Sequence, residues 1–123
     1  MKPRNWKAFY ADQINDPPLR EIVEIINVLW RNGAKIIYCT GRPSEYRQVT
    51  QQWIYKHVLA PPLHLYMRPE KDNRRDDEVK RDLLYQMRKD GLNPTLVFED
   101  RKRIVDMWRS EGLICVHVAE GEF

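Results

Sequence analysis

Apolar residues in this chain recur at helical spacing in some stretches and run nearly unbroken in others, and the two patterns alternate. Leu19, Ile22, Val23, Ile26, Leu29 and Trp30 share one helical face, and Asn32-Gly33 supplies a left-handed stop, so a helix is expected over roughly 19–31. Lys35-Ile36-Ile37-Tyr38-Cys39-Thr40 is rich in β-branched residues and almost continuously apolar, as a parallel strand covered on both faces would be, and Gly41-Arg42-Pro43 should end it. A second amphipathic helix is expected from about Ser44 to Lys56, and Ala60-Pro61-Pro62 breaks the chain before a short strand, Leu63 to Met67. Beyond the charged segment Arg68 to Arg75, Asp76 or Asp77 can cap a helix carrying Val79, Leu83, Leu84 and Met87, which Gly91 and Pro94 terminate. Thr95 to Phe98 reads as a third buried strand. A helix with Ile104, Val105 and Trp108 follows as far as Gly112, and Leu113 to Val118 is the last strand. Ahead of all this, Asn5 can cap a short turn over Trp6 to Ala11, and Asp16-Pro17-Pro18 opens the first long helix.

Strands separated by helices throughout predict an α/β domain with a mainly parallel sheet and flanking helices. At 123 residues, 42% hydrophobic and 32% charged, the chain holds enough apolar material for one core and too much for a disordered tail, so residues 1–123 are read as a single domain. No run approaches the roughly 20 apolar residues of a membrane helix, and the start, Met1 to Trp6, lacks the apolar stretch of a signal peptide; a cytoplasmic location is expected. Cys39 and Cys115 lie inside apolar runs and are expected to be buried free thiols. His57, His64 and His117 are too scattered for a zinc site.

Ligands of open α/β sheets bind beyond the carboxyl ends of the strands. The first strand ends in Thr40-Gly41-Arg42, a hydroxyl, a flexible backbone N–H and a guanidinium, all donors suited to phosphate; a polar turn with a surface arginine would carry the same residues. The third strand ends in Glu99-Asp100, hard oxygens suited to Mg²⁺, although paired acids are also ordinary at the start of a helix. Asp76 and Lys80 stand four residues apart on one helix face, so the carboxylate can hold an ammonium that neutralises a phosphoryl group. Arg74 and Arg75 belong to a charged run that would usually be a solvated loop. Trp53 and Trp108 fall at apolar helical positions and are read as core anchors.

In this order, strand-end Thr, helix-borne Lys, then strand-end acids, the series resembles the second, third and fourth motifs of the haloacid dehalogenase superfamily of phosphohydrolases. More closely it resembles the phosphatase domain of phage polynucleotide kinase/phosphatase. That match rests on Ile37-Tyr38-Cys39-Thr40-Gly41-Arg42, Arg74 to Lys80, Phe98-Glu99-Asp100-Arg101, Val105-Asp106-Met107-Trp108-Arg109 and Val118 to Phe123, within a span from Asp16 to Phe123. The resemblance implies a haloacid-dehalogenase-like, Rossmannoid core and a Mg²⁺-dependent phosphatase acting on a phosphate-bearing substrate such as a DNA or RNA 3′-phosphate end. It implies that Thr40, Arg42, Asp76 and Lys80 serve catalysis, that Gly41, Arg74 and Arg75 bind substrate, and that Glu99 and Asp100 bind metal. Glu99 departs from the family, which usually has aspartate there.

The family's first motif, an apolar strand followed by Asp-x-Asp whose first carboxylate is the nucleophile, has no counterpart in this sequence. Asp12 and Asp16 are the early acids, and the residues before Asp12 read as a helical turn rather than a strand. Two functions are therefore expected: a phosphatase core missing its first strand and inactive until a separate segment supplies the nucleophile, or a non-catalytic phosphate- or nucleic-acid-binding or dimerisation module. Either leaves sheet edges that a second copy or another chain would complete. The absence of G-x-x-x-x-G-K-[ST] removes kinase chemistry from this chain.

Overall fold

The computed structural model describes residues 20–118, and the readings over Asn5 to Leu19 and over the ending after Val118 lie outside the described residues. The elements run α1 (Arg20–Arg31), β1 (Tyr38–Pro43), a 3₁₀ turn (Ser44–Tyr46), α2 (Arg47–His57), β2 (Leu65–Arg68), α3 (Asp76–Lys89), β3 (Leu96–Glu99), α4 (Lys102–Ser110) and β4 (Ile114–His117). The α/β alternation expected from the apolar pattern is the one observed. β1 pairs parallel with β2, and β3 pairs parallel with β4; among the described residues no ladder joins the two pairs.

Several boundaries differ from the pattern: β1 starts at Tyr38 rather than Lys35, a 3₁₀ turn over Ser44–Tyr46 precedes α2, and three further differences have a local reason. β1 continues through Gly41-Arg42-Pro43 instead of ending there, because β2 follows it to a Pro43–Arg68 pairing across an irregularity after Thr40, and the Arg68 Nε donates to the Gly41 carbonyl at 2.7 Å. β2 begins two residues late, since Leu63 N–H turns back onto the Pro61 carbonyl at 2.8 Å and leaves the Leu63 side chain in solvent. The cap of α3 is Arg75, with no side-chain cap; Asp76 and Asp77 occupy the first turn, where carboxylates meet the positive end of the helix dipole. On α1, Val23 and Ile26 are buried while Trp30 is exposed, so the core face is narrower than the pattern indicated.

Side chains alternate across each strand and divide the core in two. Tyr38, Leu65 and Met67 face α1 and α2, packing with Val23, Ile26, Trp53 and Ile54. Cys39, Val97 and Cys115 join the other cluster, built on Val79, Leu83, Leu84 and Met87 of α3 and Ile104, Val105, Met107 and Trp108 of α4. This second cluster draws on both strand pairs and is what ties them together. Cys39 and Cys115 are buried free thiols, as expected. On the opposite face of the β3–β4 pair, Ile114 and Val116 are exposed.

Candidate active site

The strand ends carry a connected set of polar groups. At the end of β1, the Thr40 hydroxyl oxygen accepts the Arg42 backbone N–H at 2.9 Å, which orients a fully buried hydroxyl whose own proton can be donated elsewhere. The Arg42 guanidinium lies 4.7 Å from the centroid of the Tyr46 ring, and Thr50 Oγ1 donates to the Tyr46 carbonyl at 2.8 Å, tying that ring's backbone to α2.

Arg68, at the end of β2, is the organiser that sequence reasoning left among a charged run. Besides Gly41, its guanidinium donates to the Asp72 carbonyl at 2.8 Å and the Arg74 carbonyl at 2.7 Å, and pairs with Asp76 at 3.2 Å. One half-buried side chain thus fixes the 69–75 loop and links it to β1 and α3. The inspection of strand ends that found Thr40 and Glu99 would have found Arg68 as well, had β2 been extended by one residue.

Asp76 receives three cations: Arg68, Arg101 Nη1 at 3.4 Å and Lys80 Nζ at 3.5 Å. Lys80 is fully buried. Its ammonium also stands 4.0 Å from Glu99 Oε1, and it makes no hydrogen bond among the described residues, so it is held by charge with donors to spare. Glu99, at the end of β3, is equally buried and saturated with donors: Trp108 Nε1 at 3.0 Å on Oε1, and the backbone N–H groups of Asp100 at 3.2 Å and Arg101 at 3.4 Å on Oε2. Asp100 follows, largely buried, with its carbonyl 3.1 Å from His117 Nε2 at the end of β4.

The structure therefore brings Asp76, Lys80 and Glu99 into direct contact, with Asp100 next in the chain, and connects Gly41 to them through Arg68. The Arg74 and Arg75 side chains pair with acids outside that set. Arg74 pairs with Asp72 at 2.8 Å and Asp82 at 2.6 Å, and Arg75 with Asp77 at 3.3 Å and Glu78 at 3.4 Å; both are substantially exposed. They line an open groove of about 770 Å³ together with Arg68 and Asp76 of the strand-end set and with Arg81, Arg101 and Lys102. Hydrogen bonds from Arg74 pull the Asp72 carboxyl down to about 2.

Among the described residues no three His, Cys, Asp or Glu side chains are grouped to hold a metal, and the Glu99 oxygens are directed at protein donors. Asp100 offers a hard carboxylate, which fits a cation that binds through one or two carboxylates and completes its shell with phosphate and water.

Residues 2–123 match the family described as the polynucleotide kinase PNKP phosphatase domain. This chain belongs to that family. Over 78 residues, 63% of this chain and 11% of the relative, the PNKP-type phosphatase domain is 33% identical to a protein of Autographa californica nuclear polyhedrosis virus described as a bifunctional polynucleotide kinase/RNA ligase. That relative is a baculovirus protein rather than the phage enzyme that the sequence motifs suggested. In solved structures, chains of the Pnkp1/Rnl/Hen1 RNA repair complex superpose with a TM-score of 0.80 at 28% identity, covering 89% of this chain and 35% of that one. A second structure of the Pnkp1/Rnl/Hen1 complex gives the same TM-score and covers 38% of its chain. The PNKP-type domain spans about a tenth of the length of its curated relative and just over a third of those structural neighbours. No helix among the described residues is long and apolar enough to cross a membrane.

Proposed function

We propose that the described residues form the phosphate-holding and charge-neutralising part of a polynucleotide 3′-phosphatase site, and that the attacking carboxylate comes from a segment that joins the two strand pairs into one sheet. The observation that carries this reading is the connected polar set at the strand ends, with a fully buried lysine whose donors no acceptor among the described residues takes. In this family setting a buried ammonium without a hydrogen bond is costly unless an acceptor arrives. Among the described residues no ladder joins β1–β2 to β3–β4, which supports a strand as the carrier of the nucleophile.

The chemistry asked of these residues is charge management. Attack by a carboxylate would form a new P–O bond as the ester P–O bond breaks, the 3′-oxygen leaving as a hydroxyl on a proton from the second carboxyl group of the Asp-x-Asp segment; water would then hydrolyse the acyl phosphate to inorganic phosphate and the free carboxylate, with negative charge gathering on the non-bridging oxygens in both steps. The Thr40 hydroxyl would donate to one such oxygen, Arg42 would hold another, and Lys80 would neutralise the group, with Asp76 keeping the ammonium in place. Mg²⁺, when bound, would neutralise further charge, with Asp100 as its carboxylate from these residues. Gly41 lends a backbone free of a side chain beside the phosphate. Arg74 and Arg75 would exchange their acidic partners for backbone phosphates of DNA or RNA, since exposed pairs are worth only about 0–1 kcal/mol. By analogy with the RNA repair complex it resembles, the domain would work within an assembly containing other repair proteins.

The test is release of inorganic phosphate from a 3′-phosphorylated oligonucleotide in Mg²⁺, by the chain alone and with an Asp-x-Asp strand segment added or fused. Release with the segment, abolished by Thr40→Val, is expected. Oligonucleotide binding without release under both conditions would point instead to a non-catalytic binding module.

A further inference from the structure

We propose that Trp108 is a positioning residue for the phosphoryl site: through Glu99 it fixes the place of Lys80, and Glu99 thereby serves the lysine rather than a metal. Val97 and Glu99 are two residues apart and point to the same face, toward α3 and α4, where Val97 enters the core. Glu99 is thus a fully buried carboxylate inside an apolar cluster, and it persists only because donors meet it there. Trp108, also fully buried, supplies one of them: its indole N–H reaches Oε1 at 3.0 Å, while two backbone N–H groups take Oε2. The oxygen that Trp108 holds is the one 4.0 Å from the Lys80 ammonium. Asp76 flanks that ammonium from the other side at 3.5 Å, so Lys80 sits between two anions, one of which has its position set by a tryptophan on α4. The extra methylene of glutamate at this position is accommodated by the reach to the indole.

The inference rests on the phosphatase reading for its functional meaning, but its test does not. The water-exchange rate of the Lys80 ammonium protons, read by ¹⁵N-edited NMR on the full chain, reports how firmly Lys80 is held. Trp108→Phe should raise that rate about tenfold, the loss of one hydrogen bond to a charged group. Glu99→Gln, which keeps an acceptor for the indole but removes the charge, should raise it at least as much. Because Trp108 acts through Glu99, the double variant should be no worse than Glu99→Gln alone. Binding of inorganic tungstate, a phosphate-like oxyanion, should weaken in parallel. If Trp108→Phe folds and leaves the exchange rate within about twofold of wild type, or if the two effects multiply, the proposal fails. Should Trp108→Phe not fold, Glu99→Gln decides alone: an unchanged exchange rate overturns the assignment, and a raised one supports it. Failure of wild type to bind tungstate, with the exchange effects intact, would sink the phosphatase reading and leave the positioning role standing.

Discussion

Replacing Lys80 by methionine keeps the length and apolar stem of the side chain and removes only the ammonium. The structure sets the scale of the penalty. Lys80 and Glu99 are both fully buried, and Asp76 is nearly so. Taking one partner from a buried ion pair costs about 3–5 kcal/mol, because the other charge is left uncompensated. Asp76 retains Arg68 at 3.2 Å and Arg101 at 3.4 Å, so the uncompensated group is Glu99 alone, which keeps only neutral N–H donors. The lower end, about 3 kcal/mol, is therefore expected. With an unfolding entropy of about 2.1 cal/mol/K per residue over 123 residues, that is a fall in Tm of about 12 °C. Urea denaturation followed by tryptophan fluorescence measures it. The companion variant Lys80→Met with Glu99→Gln removes both charges and should recover about half of the loss. A loss below about 1 kcal/mol for Lys80→Met, or a double variant less stable than the single one, would refute the view that Lys80 and Glu99 are a buried, mutually dependent pair.

Arg68→Met removes the donors to Gly41, Asp72 and Arg74 and should cost about 2–3 kcal/mol and open residues 69–75 to protease; an unchanged cleavage rate would contradict its role as organiser. The Asp72 carboxyl, lowered to about 2 by Arg74, favours its charged form in the folded chain, so its contribution is complete above pH 4 and is lost as pH falls toward 2; an NMR titration midpoint at the ordinary aspartate value would count against the Arg74 contact. Tyr66→Phe, by removing the 2.6 Å hydrogen bond to Asp90, should let the Asp90 carboxyl rise toward its ordinary value, and the same titration would detect an unmoved group. Gly112→Ala meets no atom within 4 Å but forces a side chain onto a φ of +90°, so a loss of about 1–2 kcal/mol is expected, whereas a neutral result would mean the turn can rearrange.

Most of the fold was legible because periodicity reports burial directly. The β-branched run before Thr40 and the apolar faces of α3 and α4 identified their elements, and Cys39 and Cys115 fell in the core where their surroundings put them. What was not legible depends on partners distant in sequence. The extent of β1 is decided by β2 twenty-five residues on, and the exposure of Trp30 by where α1 ends relative to the sheet. At the site, the i,i+4 relation of Asp76 and Lys80 could be read locally, and the structure places the two 3.5 Å apart. Glu99 and Asp100 read as equivalent neighbours on a string of letters, but β-strand parity turns Glu99 toward α4. Trp108 was read as a core anchor, which its burial agrees with, yet its N–H contact with Glu99 needs the third dimension. Arg68 was missed because charged runs are usually solvated and β2 was ended one residue early, which hid its place at a strand end.

The most direct measurement is a crystal structure of the chain with tungstate, whose anomalous scattering locates the oxyanion without assumption. The account predicts a tungsten peak with its oxygens in hydrogen-bonding reach of Thr40 Oγ1 and Lys80 Nζ, lost in Lys80→Met. Tungstate bound only along Arg74 and Arg75, or bound at the strand ends with Lys80 turned away from it, would contradict it.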